Sequence, residues 1–213
     1  MMQTNEIAAP LLLALVLSVL ISVILAVLFL FVKKTPKLPD APQENVLKRA
    51  VVLCSGLSDR AQGESEYQGY ASCASAKEFY GGPKTCKYGC LGLGDCAKVC
   101  PEKAIRLCNG IAVIDRDKCT GCGLCKDACP QKLIRIYPKS QIIVAACAAK
   151  NPPAERSKIC AVSCIGCGIC EKICAFDAIR VVNGTAKIDP NLCVSCGKCA
   201  EYCPKKCIRV LPQ

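Results

Sequence analysis

Sixteen of the chain's 22 cysteines fall into four runs, and their spacing leaves few folds open. Three runs read alike: Cys119-x2-Cys122-x2-Cys125-x3-Cys129-Pro130, Cys164-x2-Cys167-x2-Cys170-x3-Cys174, and Cys193-x2-Cys196-x2-Cys199-x3-Cys203-Pro204. The fourth is stretched: Cys86-x3-Cys90-x5-Cys96-x3-Cys100-Pro101. Three thiolates crowded into one tight turn hold one [4Fe–4S] cube, and the fourth holds the neighbouring cube. The spacing therefore implies electron transfer through paired clusters. Structural zinc is the competing use of such cysteines, but it takes two CxxC pairs separated by a longer stretch, so no zinc is expected. A disulfide-rich secreted domain would be shorter and would lack this run. The clusters need reduced thiolates, which places them in a reducing compartment.

Shifted by 74 residues, the chain overlays itself. Cys100 lands on Cys174, and Cys119, Cys122, Cys125 and Cys129 land on Cys193, Cys196, Cys199 and Cys203. Between them AIRLCNGIAVIDRDKC (104–119) matches AIRVVNGTAKIDPNLC (178–193). Each stretch reads as two strands joined by Asn-Gly, at Asn109-Gly110 and Asn183-Gly184, a strong hairpin signal. The chain thus holds two tandem two-cluster ferredoxin modules, residues 84–137 and 160–213. The cross-over rule gives cluster one Cys86, Cys90, Cys96 and Cys129; cluster two Cys119, Cys122, Cys125 and Cys100; cluster three Cys164, Cys167, Cys170 and Cys203; and cluster four Cys193, Cys196, Cys199 and Cys174. Ile105, Ile111, Val113, Ile134 and Ile136 are the expected apolar shell of the first module. Ile179, Val181, Ile188, Ile208 and Val210 are that of the second. Such small modules need the metal–thiolate bonds for much of their folding free energy.

Six cysteines lie outside those sets. Cys108 overlays Val182 and Cys207 overlays Leu133, so both read as small core residues. Cys54 ends the apolar run AVVLC (50–54) and Cys147 ends IIVAAC (142–147), while Cys73 precedes the first module and Cys160 opens the second. Two strand-then-loop segments thus supply four thiols, Cys54, Cys73, Cys147 and Cys160. Two readings stand: ligands of a fifth [4Fe–4S] cluster, or ordinary buried thiols.

Leu11 to Val32 is a run without a charge, long enough at about 1.5 Å per residue to cross a hydrocarbon core of roughly 30 Å. A cleaved signal would be shorter and preceded by basic residues. Lys33 and Lys34 follow the run, and the positive-inside rule puts them and all that follows in the cytoplasm. The fold class is therefore α+β: a single-pass transmembrane helix of the cell's inner membrane (1–34), a proline-bearing linker (35–49), and the two modules with flanking strand-Cys segments at 50–83 and 138–159. Beyond a strand at 50–53, residues 46–83 show little periodicity, and 151–157 reads as a loop. The formal charge of +11 overstates the basic character. Four clusters at about −2 each bring it to roughly +3. Lys87, Lys98, Lys118, Lys126, Lys132, Lys198, Lys205 and Lys206 offset cluster charge, dock an acidic carrier, or form a solvated face. No nucleic-acid motif is present. With no histidine and no nucleotide fingerprint, the chain shows no catalytic site of its own.

The anchor, the VLC strand, the segment KTCKYGCLGLGDCAKVCP (84–101), both modules and the run CAVSCIGCGICEKIC (160–174) together resemble the B subunit of the Rnf complex. The resemblance covers roughly residues 50–210 and the anchor. It implies a subunit that accepts electrons from reduced ferredoxin. It further implies partner subunits carrying flavin and iron–sulfur groups, in a membrane complex that reduces NAD and pumps Na⁺ or H⁺. The family normally carries another cysteine-rich domain between the anchor and the VLC strand, where this chain has only the linker. Ala175 stands where most such motifs have proline. The alternatives are a membrane-anchored polyferredoxin serving a dehydrogenase or hydrogenase, and a metal-binding redox sensor without relay.

Overall fold

The computed structural model describes residues 15–28, 47–63, 67–79 and 81–212. The chain divides into two compact units, Met1–Asn45 and Val46–Gln213. In the first, residues 15–28 form helix α1, exposed along its whole length. Its two hydroxyls fold back on the helix, Ser18 donating to the Leu15 carbonyl and Ser22 to that of Ser18, each at 2.9 Å. The expected span, Leu11 to Val32, extends beyond the described residues at both ends. Among the described residues no helix is long and apolar enough to cross a membrane. Most of the expected linker also lies outside them, and its last two residues, Lys48 and Arg49, open a strand.

The second unit is built twice over from one order of elements. The first half runs β1 (Lys48–Val52), α2 (Cys73–Phe79), α3 (Asp95–Lys98), β2 (Ile105–Cys108), β3 (Ile111–Ile114), α4 (Leu124–Ala128) and β4 (Ile134–Pro138). The second runs β5 (Ile143–Ala145), α5 (Pro153–Ile159), α6 (Ile169–Lys172), β6 (Ile179–Val182), β7 (Thr185–Ile188), α7 (Lys198–Glu201) and β8 (Ile208–Val210). The described strands make four two-stranded antiparallel sheets. Two are the hairpins β2–β3 and β6–β7. At their tips Asn109 and Gly110 (φ 45° and 74°), and Asn183 and Gly184 (φ 51° and 68°), take the left-handed pair that a two-residue type I′ turn requires. The other two sheets bring β1 onto β4 and β5 onto β8. The strands of the segments flanking the modules are therefore each paired with the last strand of a module.

Outside the two modules, two helices lie where the sequence suggested none. Ser72 precedes α2, its carbonyl accepting from the Ala76 N–H at 2.9 Å, while the Ser72 hydroxyl and the Ala74 N–H both bond the Asp95 carboxylate at 3.0 Å. That side-chain clasp fixes a two-turn helix against α3. Helix α5 replaces the expected loop because Pro153 sits in its first turn, where a missing N–H costs nothing.

The core is thin. Ile105, Ala112 and Ile134 pack with cysteines in the first half, and Ile143, Ile179, Ala186 and Ile208 do so in the second. At ~1.5–3 kcal/mol per buried large side chain, this does little more than offset the ordering of loops. Two expected core positions are corrected: Val210 is exposed at the end of β8, and Cys108 is exposed on β2. Cys207 is buried, as expected, at 2 % exposure.

Candidate iron–sulfur centres

The third cysteine of each run sits on a helix of four or five residues: Cys96 on α3, Cys125 on α4, Cys170 on α6 and Cys199 on α7. Such helices are too short to be stable alone. The turn before each is pinned from outside. A Cβ at Gly166 (φ 66°) would stand 2.7 Å from the Gly184 carbonyl oxygen, so the cysteine loop lies directly on the hairpin tip. Only glycine permits that approach. Backbone N–H groups then point at sulfur: Ala50 at Cys119 and Ala104 at Cys100, both 3.4 Å, Leu133 at Cys129, 3.5 Å, and Ala186 at Cys164, 3.4 Å. Such N–H···S bonds are a lever on cluster potential.

Mutual repulsion identifies which thiols face one another. Burial, together with Cys119, Cys122 and Cys100, pushes the Cys125 thiol up to about 11. Burial likewise raises Cys170 to about 11, with Cys164, Cys167 and Cys203 adding to it. Cys199 rises to about 11 by burial, then by Cys193, Cys170, Cys196 and Cys174. The structure thus brings together the cysteines grouped as clusters two, three and four. Cys170 beside Cys199 shows that sites three and four adjoin. Four thiols brought together, one in each set exposed (Cys122, Cys167, Cys196) and the rest buried or half-buried, cannot all ionise together and form a site for a cation-rich core, whose binding drives the protons off. Among the described residues no three His, Cys, Asp or Glu side chains are placed to chelate a single ion. A cube, with one thiolate at each corner, does not need them so close.

The stretched run behaves differently. Burial pushes Cys96 up to about 12, and its thiol neighbours are Cys90, Cys129, Cys73 and Cys125. Cys73, Cys90, Cys96 and Cys129 line one cavity, and Cys86 is not among its walls. Cys86 lines another, with Cys54, Cys147 and Cys160. Its thiol is raised by burial and by the nearby Cys54 and Cys147. Cys160 is raised by burial and by Cys54, Cys147 and Cys86. The two groupings of the sequence analysis that involve Cys73 and Cys86 therefore meet different company in the folded chain.

Residues 112–135 match the family described as a 4Fe-4S binding domain, and residues 163–207 match a 4Fe-4S dicluster domain. Over 67% of its length the chain is 47% identical to the B subunit of the proton-translocating ferredoxin:NAD(+) oxidoreductase complex of Clostridium ljungdahlii. Over 68% it is 41% identical to the B subunit of the Na(+)-translocating complex of Acetobacterium woodii. The chain is a relative of these B subunits. It spans about half the length of the curated relatives it matches, 51% and 44% respectively.

In this relative of the B subunits, two cations escaped the sequence reading. Lys84, 8 % exposed, donates to the carbonyls of Gly56, Cys90 and Gly110. Arg156, 1 % exposed, donates to the Ala149 carbonyl at 3.0 Å, the Thr185 hydroxyl at 2.7 Å and the Gly184 carbonyl at 2.7 Å. Of the eight lysines singled out by sequence, seven are exposed and Lys205 is half-buried. Lys98 pairs with Asp95 at 3.7 Å.

Proposed function

We propose that the chain is an iron–sulfur electron-transfer subunit that takes electrons from reduced ferredoxin. It passes them into a membrane ion-translocating ferredoxin:NAD oxidoreductase complex. The observation that carries this reading is the repeated convergence of thiols, four at a time, in largely apolar surroundings beside backbone N–H donors. When bound there, [4Fe–4S] groups supply one-electron storage. The chain's own residues hold them, exclude water with Ile105, Ile134, Ile179 and Ile208, and set their potentials through N–H···S bonds.

The names of the two relatives support the reading, as each is the B subunit of such a complex. The apolar run Leu11 to Val32 fits a single-pass anchor with the iron–sulfur unit in the cytoplasm. The internally satisfied Ser18 and Ser22 hydroxyls suit an apolar surrounding. The exposed lysines suit an acidic one-electron carrier, and flavin-carrying membrane subunits are the expected acceptors.

The test is anaerobic. The purified chain is mixed with chemically reduced ferredoxin, and its visible charge-transfer absorbance is followed. Bleaching on reduction, together with restored NAD reduction in membranes stripped of their own B subunit, is the expected result. Zinc with little acid-labile sulfide would sink the electron-transfer reading. Bleaching without restored NAD reduction would favour the polyferredoxin alternative.

A further inference from the structure

We infer that the two halves are joined by a fifth [4Fe–4S] site, held by Cys54, Cys86, Cys147 and Cys160, and that Cys73 rather than Cys86 completes cluster one. The inference rests on the iron–sulfur reading above.

The four thiols form two pseudo-equivalent pairs. Leu53 donates its N–H to the Leu133 carbonyl, and Ala146 donates to that of Cys207, both at 2.8 Å. Leu133 and Cys207 are one repeat apart, so Cys54 and Cys147, the next residues along, hold the same place in the two halves. Cys86 and Cys160 each lie four residues before the first ligand of a module, Cys90 and Cys164. The strand ends and the loop starts of both halves thus meet at a single cavity.

That cavity has the charge of a site for an anionic group. No carboxylate is among its walls, whereas Lys84 and Arg156 both are. The two cations are themselves pseudo-equivalent. Lys84 bonds the carbonyls of Gly56 and Gly110, and Arg156 bonds those of Ala149 and Gly184, the matching positions. A cube with four thiolates carries about −2, which two buried cations offset. The Ser55 hydroxyl and the Arg156 Nε are buried without a partner at the same walls. A Cβ built on Gly56 would stand 3.6 Å from the Cys160 sulfur and 3.7 Å from the Cys54 sulfur, filling space between ligands. A single zinc ion would need sulfurs only ~3.8 Å apart, from Zn–S bonds of about 2.3 Å. No such convergence exists among the described residues.

The exchange of Cys73 for Cys86 follows from the repeat. Cys90, Cys96 and Cys100 match Cys164, Cys170 and Cys174, but Leu93 occupies the place of Cys167. The first module therefore lacks its second loop ligand. Helix α2, clasped to α3 through Asp95, carries Cys73 into that cavity. The junction site then touches both modules: the Cys90 N–H points at the Cys54 sulfur at 3.5 Å, and Cys160 leads into Cys164. The five sites form one unbroken series (two, one, junction, three, four) in place of two separate pairs.

The test uses the full chain, purified without oxygen. Iron and acid-labile sulfide should each reach about 20 per chain, all as [4Fe–4S] by Mössbauer spectroscopy. Brief alkylation of the loaded protein should label Cys108, which is exposed, and leave Cys54, Cys73, Cys86, Cys147 and Cys160 untouched. About 16 irons with Cys54, Cys147 and Cys160 labelled would overturn the fifth site and leave the proposed function standing, whereas absence of sulfide would remove both. Ligand membership is read from pairs of substitutions. Cys147→Ala should lower the count to about 16, adding Cys86→Ala should leave it there, and adding Cys73→Ala should lower it to about 12. The opposite pattern would overturn the exchange. If Cys147→Ala does not fold, the wild-type count and thiol map decide the fifth site, and Cys54→Ala replaces it in the paired series.

Discussion

Arg156 is the side chain whose loss is expected to be felt most widely, because it ties helix α5 to the Ala149 loop and to the turn of the β6–β7 hairpin. Its guanidinium is 1 % exposed and makes three bonds of 2.7–3.0 Å, to Ala149, Thr185 and Gly184. Replacement by methionine keeps the apolar stem but removes every donor. The Thr185 hydroxyl still donates to the Ala149 carbonyl at 2.9 Å, so those two groups keep each other. The half-buried Gly184 carbonyl, at the tip of the β6–β7 hairpin, loses its charged donor. A stranded acceptor there costs up to ~1–3 kcal/mol, and the lost charge-assisted bonds bring the expected total to about 2–4 kcal/mol. For a unit of this size that is a fall of roughly 5–15 °C in apparent melting temperature. The assay is loss of visible absorbance on heating, without oxygen and at one fixed scan rate, since cluster loss makes unfolding irreversible. Arg156→Lys should recover part of the loss, because Lys84 performs the equivalent task in the first half. A fall of less than about 2 °C for Arg156→Met would refute the reasoning, since three buried or half-buried bonds joining these segments cannot be worth so little.

The remaining expectations probe the cysteine loops and one buried phenol. Gly166→Ala forces a Cβ to 2.7 Å from the Gly184 carbonyl, whereas Gly168→Ala, at φ 76°, meets nothing within 4 Å. Both carry the backbone cost of ~1–2 kcal/mol, so a larger fall in thermal stability and iron content for Gly166→Ala isolates the clash, and equal falls would deny it. Cys207→Leu removes a thiol 3.6 Å from the Cys203 sulfur. Losing a weak hydrogen bond of ~0.5–1 kcal/mol should lower one cluster potential by roughly 20–40 mV in an EPR-monitored titration, and no change would remove Cys207 from the tuning set. Burial raises the Tyr137 phenol above its ordinary value, outweighing nearby Arg135. Its contribution to stability is therefore intact below the ordinary phenol value and lost as pH rises through the raised one. Tyr137→Phe should flatten the loss of stability in alkali and delete the latest phase of phenolate absorbance; an unchanged absorbance titration would contradict this.

Much of this was legible in the chain. The Asn-Gly turns and the repeat located both hairpins, because two-residue turns and alternating apolar residues are local signals. The companions of Cys125, Cys170 and Cys199 were legible because regular spacing dictates them. Cys86 and Cys73 were harder, since the stretched run invites its first cysteine to be read as a ligand of the same cube. The signal was nonetheless present. Carrying the same shift back through the run sets Cys86 on Cys160 and Leu93 on Cys167, exposing both the surplus ligand and the gap. What no local pattern could supply was α2, whose docking depends on Asp95 more than twenty residues on, and the burial of Lys84 and Arg156, whose partners are almost all main-chain carbonyls.

The departures from the repeat have a physical direction. Leu93 replaces an exposed cysteine, Cys167, and the thiol now facing Cys96 is Cys73, 9 % exposed under α2. Less water around a ligand set disfavours the added negative charge of the reduced state and so lowers the potential. At the mirrored place in the second half Leu133 becomes Cys207, whose thiol lies 3.6 Å from the Cys203 sulfur, within reach to donate to it. A donor to a ligand sulfur stabilises added negative charge and raises the potential. Both changes act in the same sense: on the ligand sets inferred above, a cluster at Cys96 would be harder to reduce than one at Cys170. Two copies of one repeat would otherwise present similar potentials and give electrons no preferred direction. The asymmetry needs no new fold, only a helix inserted before one cysteine run and a thiol in place of a leucine.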